Sequence, residues 1–428
     1  MITRYSRDHD SKDDNMRTQM QGLCLFKKTL LASAISLTAL QVNAAGFQLN
    51  SQSATGLGRA FAGDAVIADN ASVMSRNAAA MALFDKTALS LGVNVLKTDI
   101  SVSDGVYNGL TTSGKSSSYD DAGGVSVSPN LHVIFPINET FALGVDLYSN
   151  FGTRTDFNDS FSGSEFGGLT DVKSLNLGLA ASYRINQQWS LGAGVDIIYG
   201  TGELKRTLSD DSSIFSGLTA LDADVAGVGV GFNLGAVFEL NANNRFGLSY
   251  HYSPELKVKG DVTFNGVKTK DDSLYLGLPD MAEFSGYHRI ADSKYAVHYS
   301  IQWIGWSSFD TLESESSGTI STYKWKDTMH FSIGGTYYLN EIWTLRTGYM
   351  YDMSAQDKVT SISVPDSDRQ WFSAGFTYHF SENSNMDFGA TYLLGQDVSV
   401  SETTALSSIT GTTHADALLI AVQYSHEF

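Results

Sequence analysis

From residue 86 onward the chain runs in segments of about 10 to 16 residues with period-two patterning, and the connections between them are alternately short and long. Tight turns fall at 136–140, 185–189, 240–245, 291–294, 339–343 and 381–385. Long polar connections fall near 102–125, 155–171, 207–225, 261–273, 308–325, 353–368 and 398–414. Six short and seven long connections join fourteen strands. All long connections then lie at one end, and an even strand number brings both termini to the other. This is the arrangement of an all-β transmembrane barrel of the outer membrane, with periplasmic turns and extracellular loops; a sandwich has no reason to sort its loops this way.

Composition agrees. The chain holds 40 Gly, 23 Phe and 20 Tyr but only 5 Pro, with a mean hydropathy of −0.11. Lipid-facing and lumen-facing residues alternate in such barrels, so aromatic-rich strands keep a modest average. Strand glycines, as in "AGVGVGFNLGAVF", have no side chain to pack; in a curved barrel they ease bending and make room for neighbouring aromatics. The last strand, "DALLIAVQYSHEF", sets Leu418, Ile420, Val422, Tyr424 and Phe428 on one face and Leu419, Ala421, Gln423, Ser425 and Glu427 on the other. Its aromatic end resembles the signal read by barrel-assembly machinery.

The N-terminal 44 residues read as a processed leader. Lys27 and Lys28 precede a short apolar core and the small-residue site Val42-Asn43-Ala44, the pattern of a secretory signal. The charged stretch before it is unlike a signal n-region and points to a start at Met16 or Met20. Cys24, the sole cysteine, lies in the leader, so the exported chain lacks thiol chemistry. A net charge of −18 disfavours nucleic acid.

Enzyme motifs are weak. "GLTTSGKS" at 109–116 satisfies a phosphate-loop pattern, but a helix must follow it to hold phosphates, and the sequel "SSYDDAGG" is a helix-poor run inside an expected extracellular loop. Histidines are scattered, and the paired acids Asp120-Asp121, Asp210-Asp211 and Asp271-Asp272 read as solvated loop tips. No cofactor and no metal ligand set emerges. An outer-membrane hydrolase would need a serine or acid gathered to a histidine by the fold, and a diffusion porin would need an open lumen.

One segment fits neither strand nor long helix: "AGFQLNSQSATGLGRAFAGDAVIAD", 45–69. With "GLGRAFAGDAVIADNASVMSRN" (56–77), "SNFGTRTDFND" (149–159), "SGYHR" (285–289) and "VPDSDRQWFSAG" (364–375), it resembles the FadL family of outer-membrane transporters of long-chain fatty acids and other hydrophobic compounds. The resemblance implies an N-terminal helical hatch, residues 45–85, plugging the lumen of a barrel over residues 86–428. It implies a monomer in contact with outer-membrane lipid and lipopolysaccharide. Ligand would land in an apolar groove between extracellular loops, offered here by Ile214, Phe215, Leu218, Leu221, Phe264, Leu274 and Leu276. Arg206 matches the family arginine that meets the carboxylate, with Lys324 or Lys326 as its partner.

The resemblance further implies passive, binding-gated uptake, with sideways exit through a third strand kinked at Gly152 and coupled to Ala45, Gly46 and Phe47. Asn77 begins what is Asn-Pro-Ala in relatives, but here reads Asn77-Ala78-Ala79, which puts that hatch turn in question. A transporter of uncharged aromatic compounds is the alternative; it would not need Arg206.

Overall fold

The computed structural model describes residues 46–50, 52–158, 161–209 and 217–428. The leader, Ala45, Ile214 and Phe215 lie outside the described residues. A closed 14-strand antiparallel barrel accounts for nearly all of the rest. We number its strands β1 (Ala88–Asn108), β2 (Val125–Pro136), β3 (Phe141–Tyr148 and Gly152–Asp156), β4 (Leu169–Arg184) and β5 (Trp189–Thr207). β6 (Thr219–Asn241), β7 (Asn244–Tyr252 and Glu255–Phe264), β8 (Val267–Gly277 and Met281–Arg289) and β9 (Tyr295–Ile304 and Thr311–Ser314) follow. The circuit ends with β10 (Gly318–Thr322 and Thr328–Tyr338), β11 (Trp343–Asp352), β12 (Arg369–Ser381), β13 (Ser384–Leu394 and Val398–Thr403) and β14 (Ser408–Glu427). Pairing of Ala88 with Glu427, continued to Lys97 with Leu418, closes β1 on β14.

The side-chain pattern is that of a protein in lipid. Leu91, Val230, Ile333 and Ile420 point outward and are exposed, while Asn94, Asn176, His298 and Gln423 point inward and are buried. Apolar outside and polar inside suits a barrel whose outer solvent is hydrocarbon.

The periplasmic turns are built by asparagine. Asn138 Oδ1 accepts from the amides of Thr140 and Phe141, both at 2.9 Å, and Asn186 and Asn340 repeat the motif. An Asx turn supplies the reversal without glycine.

The extracellular end departs from expectation because strands run on into stretches read as loops, at 308–325 and 398–414 as well as 261–273. Residues 261–273 do not form a long loop: β7 and β8 stay paired and reverse at Asn265-Gly266, with φ of 50° and 78°. Asn-Gly at positive φ is a type I′ hairpin signature that the loop reading passed over. Asp271-Asp272 is accordingly in a strand, with Asp272 buried and accepting from Ser314 and Ser316 hydroxyls at 2.6 Å. The stretch 109–116 is loop plus a two-residue strand, Lys115–Ser116, so no phosphate loop forms.

Residues 46–84 fill the lumen as the hatch, with a short α-helix (Ala54–Leu57) and two 3-10 helices (Ala71–Ser75 and Ala78–Leu83). Each is capped by its own preceding side chain: Ser53, Asn70 and Asn77 accept from Gly56, Ser72 and Ala79 amides. Asn77 therefore holds its turn without the proline, and its amide also donates to Ala65 O at 2.8 Å and to Ala236 O on β6 at 3.1 Å.

Buried ion pairs fasten the hatch. Arg59 contacts Asp64 at 2.6 Å and Asp69 at 2.8 Å, Arg76 contacts Glu283 of β8 at 3.5 Å, and Arg346 of β11 contacts Asp69 at 3.3 Å. Some strand glycines make room for this packing. A Cβ on Gly235 would overlap the Asn77 side chain, and one on Gly348 would overlap the Arg59 carbonyl.

Candidate functional site

Two adjacent spaces are lined by the barrel's extracellular half. The inner one is an apolar cavity of about 50 Å³, lined by Leu204, Leu256, Val258, Leu274, Leu276 and Tyr323 among others, with Phe47 and Phe151 also in its wall. The outer one is a groove of about 670 Å³ between extracellular strand extensions, lined by Arg206, Leu221, Phe264, Ile320 and Glu402 among others. Leu204 and Tyr323 line both, so the groove and the cavity share a wall. Ligand pockets usually hold a few hundred Å³ or more, so the inner cavity is nearly shut as it stands.

Aromatic packing keeps it shut. The Phe47 ring lies 4.6 Å from Trp306, 5.0 Å from Phe309 and 5.7 Å from Trp325, centroid to centroid. Gly46, at φ 59°, presses its backbone against Trp306 and Trp325, where no Cβ would fit. Its amide donates to Asp366 Oδ1 at 3.2 Å, and Asp366 also takes the Ser354 hydroxyl, the Ala355 amide and the buried Arg369 guanidinium.

The same short segment meets the third strand. β3 pairs with β2 only from Leu131 with Leu147 to Pro136 with Ala142; its second half, Gly152–Asp156, pairs with β4 alone. Between the halves lies a break at 149–151. The hatch segment closes this break from inside: Gly152 N donates to Phe47 O at 2.7 Å, Leu49 N donates to Asn150 O at 2.6 Å, and Gln48 bridges Phe151. Asn150 Oδ1 also accepts from Gln52 Nε2 at 3.1 Å.

Arg206 is buried near the extracellular end of β5. Its guanidinium donates to Lys205 O at 2.7 Å, to Leu169 O and to the Thr170 hydroxyl. These acceptors are neutral, and among the described residues no carboxylate pairs with it. Glu402 faces the same groove, with its Oε1 accepting from the Ile362 amide at 2.7 Å. Burial pushes the Glu402 carboxyl up to about 7, against the pull of that amide and of Arg206.

The sequence-read residues separate into groups. Arg206, Leu221 and Phe264 line the groove, and Leu274, Leu276 and Phe47 line the cavity. Leu218 is 53% exposed beside the undescribed part of its loop. Lys324 and Lys326 are exposed and outside both linings, because Tyr323 and Trp325 are the residues that turn inward there. Gly152 lies at the strand-3 break rather than in either lining. Lys173, paired with Gly152 across β3 and β4, lines the cavity and donates to Asp171 at 2.8 Å. It was not singled out in the sequence, nor were Trp306, Phe309, Trp325 and Glu402; the tryptophans of "QWIGWSSFD" and "YKWKD" were the available signal.

Two rim histidines among the described residues have an acid or a serine beside them. His414 at the extracellular end has Asp397 at 2.8 Å on Nδ1 and Asp416 at 3.0 Å on Nε2, leaving neither nitrogen to activate a serine. Ser384 Oγ lies 2.7 Å from His426 Nδ1 at the periplasmic rim, where no carboxylate orients that ring among the described residues.

Comparison with known proteins agrees with this architecture. A family model described as outer membrane protein transport protein (OMPP1/FadL/TodX) matches residues 35–428. The chain is 35% identical over 432 residues to the long-chain fatty acid transport protein of Escherichia coli K12, covering 90% of this chain and 95% of the relative. It is 35% identical over 422 residues to outer membrane protein P1 of Haemophilus influenzae, covering 88% and 92%. Among solved structures, a Pseudomonas aeruginosa FadL homologue superposes with a TM-score of 0.80 at 23% identity, over 90% of this chain and all of the other. The Pseudomonas putida toluene transporter TodX gives 0.64 at 18%, over 84% and 94%. With an outer membrane barrel, a hatch and a near-full-length family match all on one chain, this protein belongs to the OMPP1/FadL/TodX family of outer membrane transport proteins.

Proposed function

We propose that this protein takes up long-chain fatty acids passively across the outer membrane, by way of groove, cavity and a lateral exit at the strand-3 break. The observation that carries the reading is the double engagement of residues 47–49. The Phe47 side chain walls the apolar cavity while the backbone of the same residue bonds Gly152 at the break. An acyl chain entering the cavity must displace the Phe47 ring. Moving that ring strains the backbone bonds that cover the break, so binding and opening become one event, with no other energy source.

Arg206, which has no carboxylate beside it among the described residues, favours a ligand with a carboxylate. A buried guanidinium bonded only to neutral acceptors gains a charge-assisted pair when an acid arrives. Long-chain fatty acid transport is also what the Escherichia coli relative is named for. The second reading, uptake of uncharged aromatic compounds, draws on the apolar lining of the cavity and leaves Arg206 without a role.

The direct test is uptake of labelled oleate by Gram-negative cells lacking their own transporter and expressing this chain. Uptake well above the empty-vector level is expected. If toluene entered and oleate did not, the aromatic reading would replace the first.

A further inference from the structure

The capture groove contains few charges. Arg206, Glu402, Glu165 and Lys358 line it, together with the phenol of Tyr323. Glu165 is already committed, accepting from the Tyr107 and Ser407 hydroxyls at 2.6 Å and from the Ser209 amide at 3.2 Å. Lys358 is exposed at the rim. Among the described residues Arg206 is thus the buried cation of the lining, and Glu402 is the lining carboxylate without a hydroxyl donor, beside the hydrogen-bonded Glu165.

Arg206 and Glu402 both line the groove, and each feels the other's charge. When a carboxylate settles on Arg206, a further anion joins Glu402 and Glu165 in the covered groove. Repulsion between like charges at such a place is much stronger than in water, and loss of one charge by protonation is the cheapest relief. The Arg206 guanidinium cannot leave, since neutral carbonyls and Thr170 fix it. The group able to change is Glu402.

We propose that Glu402 sets the charge of the capture groove: it takes up a proton when a carboxylate ligand seats on Arg206, and so selects for acids according to pH. This rests on the fatty-acid reading. Burial already holds the Glu402 carboxyl up at about 7, so the proton is within reach at neutral pH. The ligand anion raises it further. Binding is then fully favoured below that value and weakens as pH rises through it, because the complex holds a proton the free protein has lost.

The test is calorimetric titration of laurate into the purified barrel in non-ionic detergent, between pH 6.5 and pH 8.5, with the titration of laurate itself in the same micelles measured alongside and subtracted. Linkage to one proton gives a fall in laurate affinity of about tenfold to thirtyfold over that range. Dodecanol, with the same chain and no charge, should bind equally at both ends. Glu402→Gln keeps an acceptor for the Ile362 amide; it should bind laurate at pH 8.5 as tightly as the parent at pH 6.5. Buffers of different ionisation heat should report proton uptake at pH 8 in the parent and none in the variant. A pH-independent laurate affinity in the parent, an unchanged pH profile in Glu402→Gln, or an equal loss for dodecanol would overturn the proposal. Absence of laurate binding by the parent at every pH would instead remove the fatty-acid reading beneath it.

Discussion

Phe47 meets Trp306 edge-on with ring centroids 4.6 Å apart, while its carbonyl accepts from Gly152 at 2.7 Å. One residue thus closes the cavity with its side chain and the strand-3 break with its backbone.

Phe47→Ala should separate these roles. Deleting a buried ring costs about 3 to 5 kcal/mol of packing, felt here in the aromatic cluster. The backbone bonds to Gly152 and Asn150 do not need the ring, so the break stays covered. Acyl chains then enter an enlarged cavity without pulling on the segment: binding is kept or tightened, and oleate uptake drops several-fold. Uptake at the parent rate would show that the ring does not transmit ligand entry.

Gly348→Val tests the seat of the hatch. A side chain here would collide with the Arg59 carbonyl, a backbone atom with little freedom. Arg59 also carries the pairs to Asp64 and Asp69, so displacing it loosens buried charges as well. Barrel strands should still form, since β11 keeps its ladders to β10 and β12. Planar-bilayer conductance should rise from nearly closed to a measurable pore. A variant that folds and conducts no more than the parent would show the wall glycines to be dispensable.

Much of this architecture is legible in one sequence because a barrel repeats a simple rule. Asn138, Asn186 and Asn340 mark periplasmic turns locally, and period-two strands mark the faces. The hairpin at Asn265-Gly266 was local too, but its polar flanks, Asp261, Lys268 and Lys270, read as loop because strands above the membrane need not alternate apolar with polar. The site is another matter. Phe47, Trp306 and Trp325 converge from distant parts of the chain, and which of Tyr323, Lys324, Trp325 and Lys326 turns inward depends on a backbone reversal, with Lys324 at φ 50°. Spacing alone does not encode that reversal.

Gly152→Val addresses the proposed exit. Gly152 is buried, donates to Phe47 and starts the half-strand that pairs only with β4. A β-branched residue favours a regular pleated strand over a break. Uptake should slow, while laurate affinity and surface abundance hold. Unchanged oleate uptake would remove Gly152 from the exit.

Arg206→Ala decides between ligand classes. In the parent, the guanidinium is held by Leu169, Lys205 and Thr170 with no carboxylate beside it among the described residues. A ligand acid would complete the site with a charge-assisted hydrogen bond worth roughly 1.5 to 3 kcal/mol, or about one to two decades in affinity. The variant should lose that much for laurate and almost nothing for dodecanol, whose apolar burial is untouched. Binding of both ligands, titrated side by side on the purified barrel, separates the outcomes. Equal losses would mean that the groove has collapsed without its cation. No loss for either would leave Arg206 as a structural cation at the top of β5 and return the aromatic reading to first place. A loss confined to the acid would identify Arg206 as the group that greets a carboxylate.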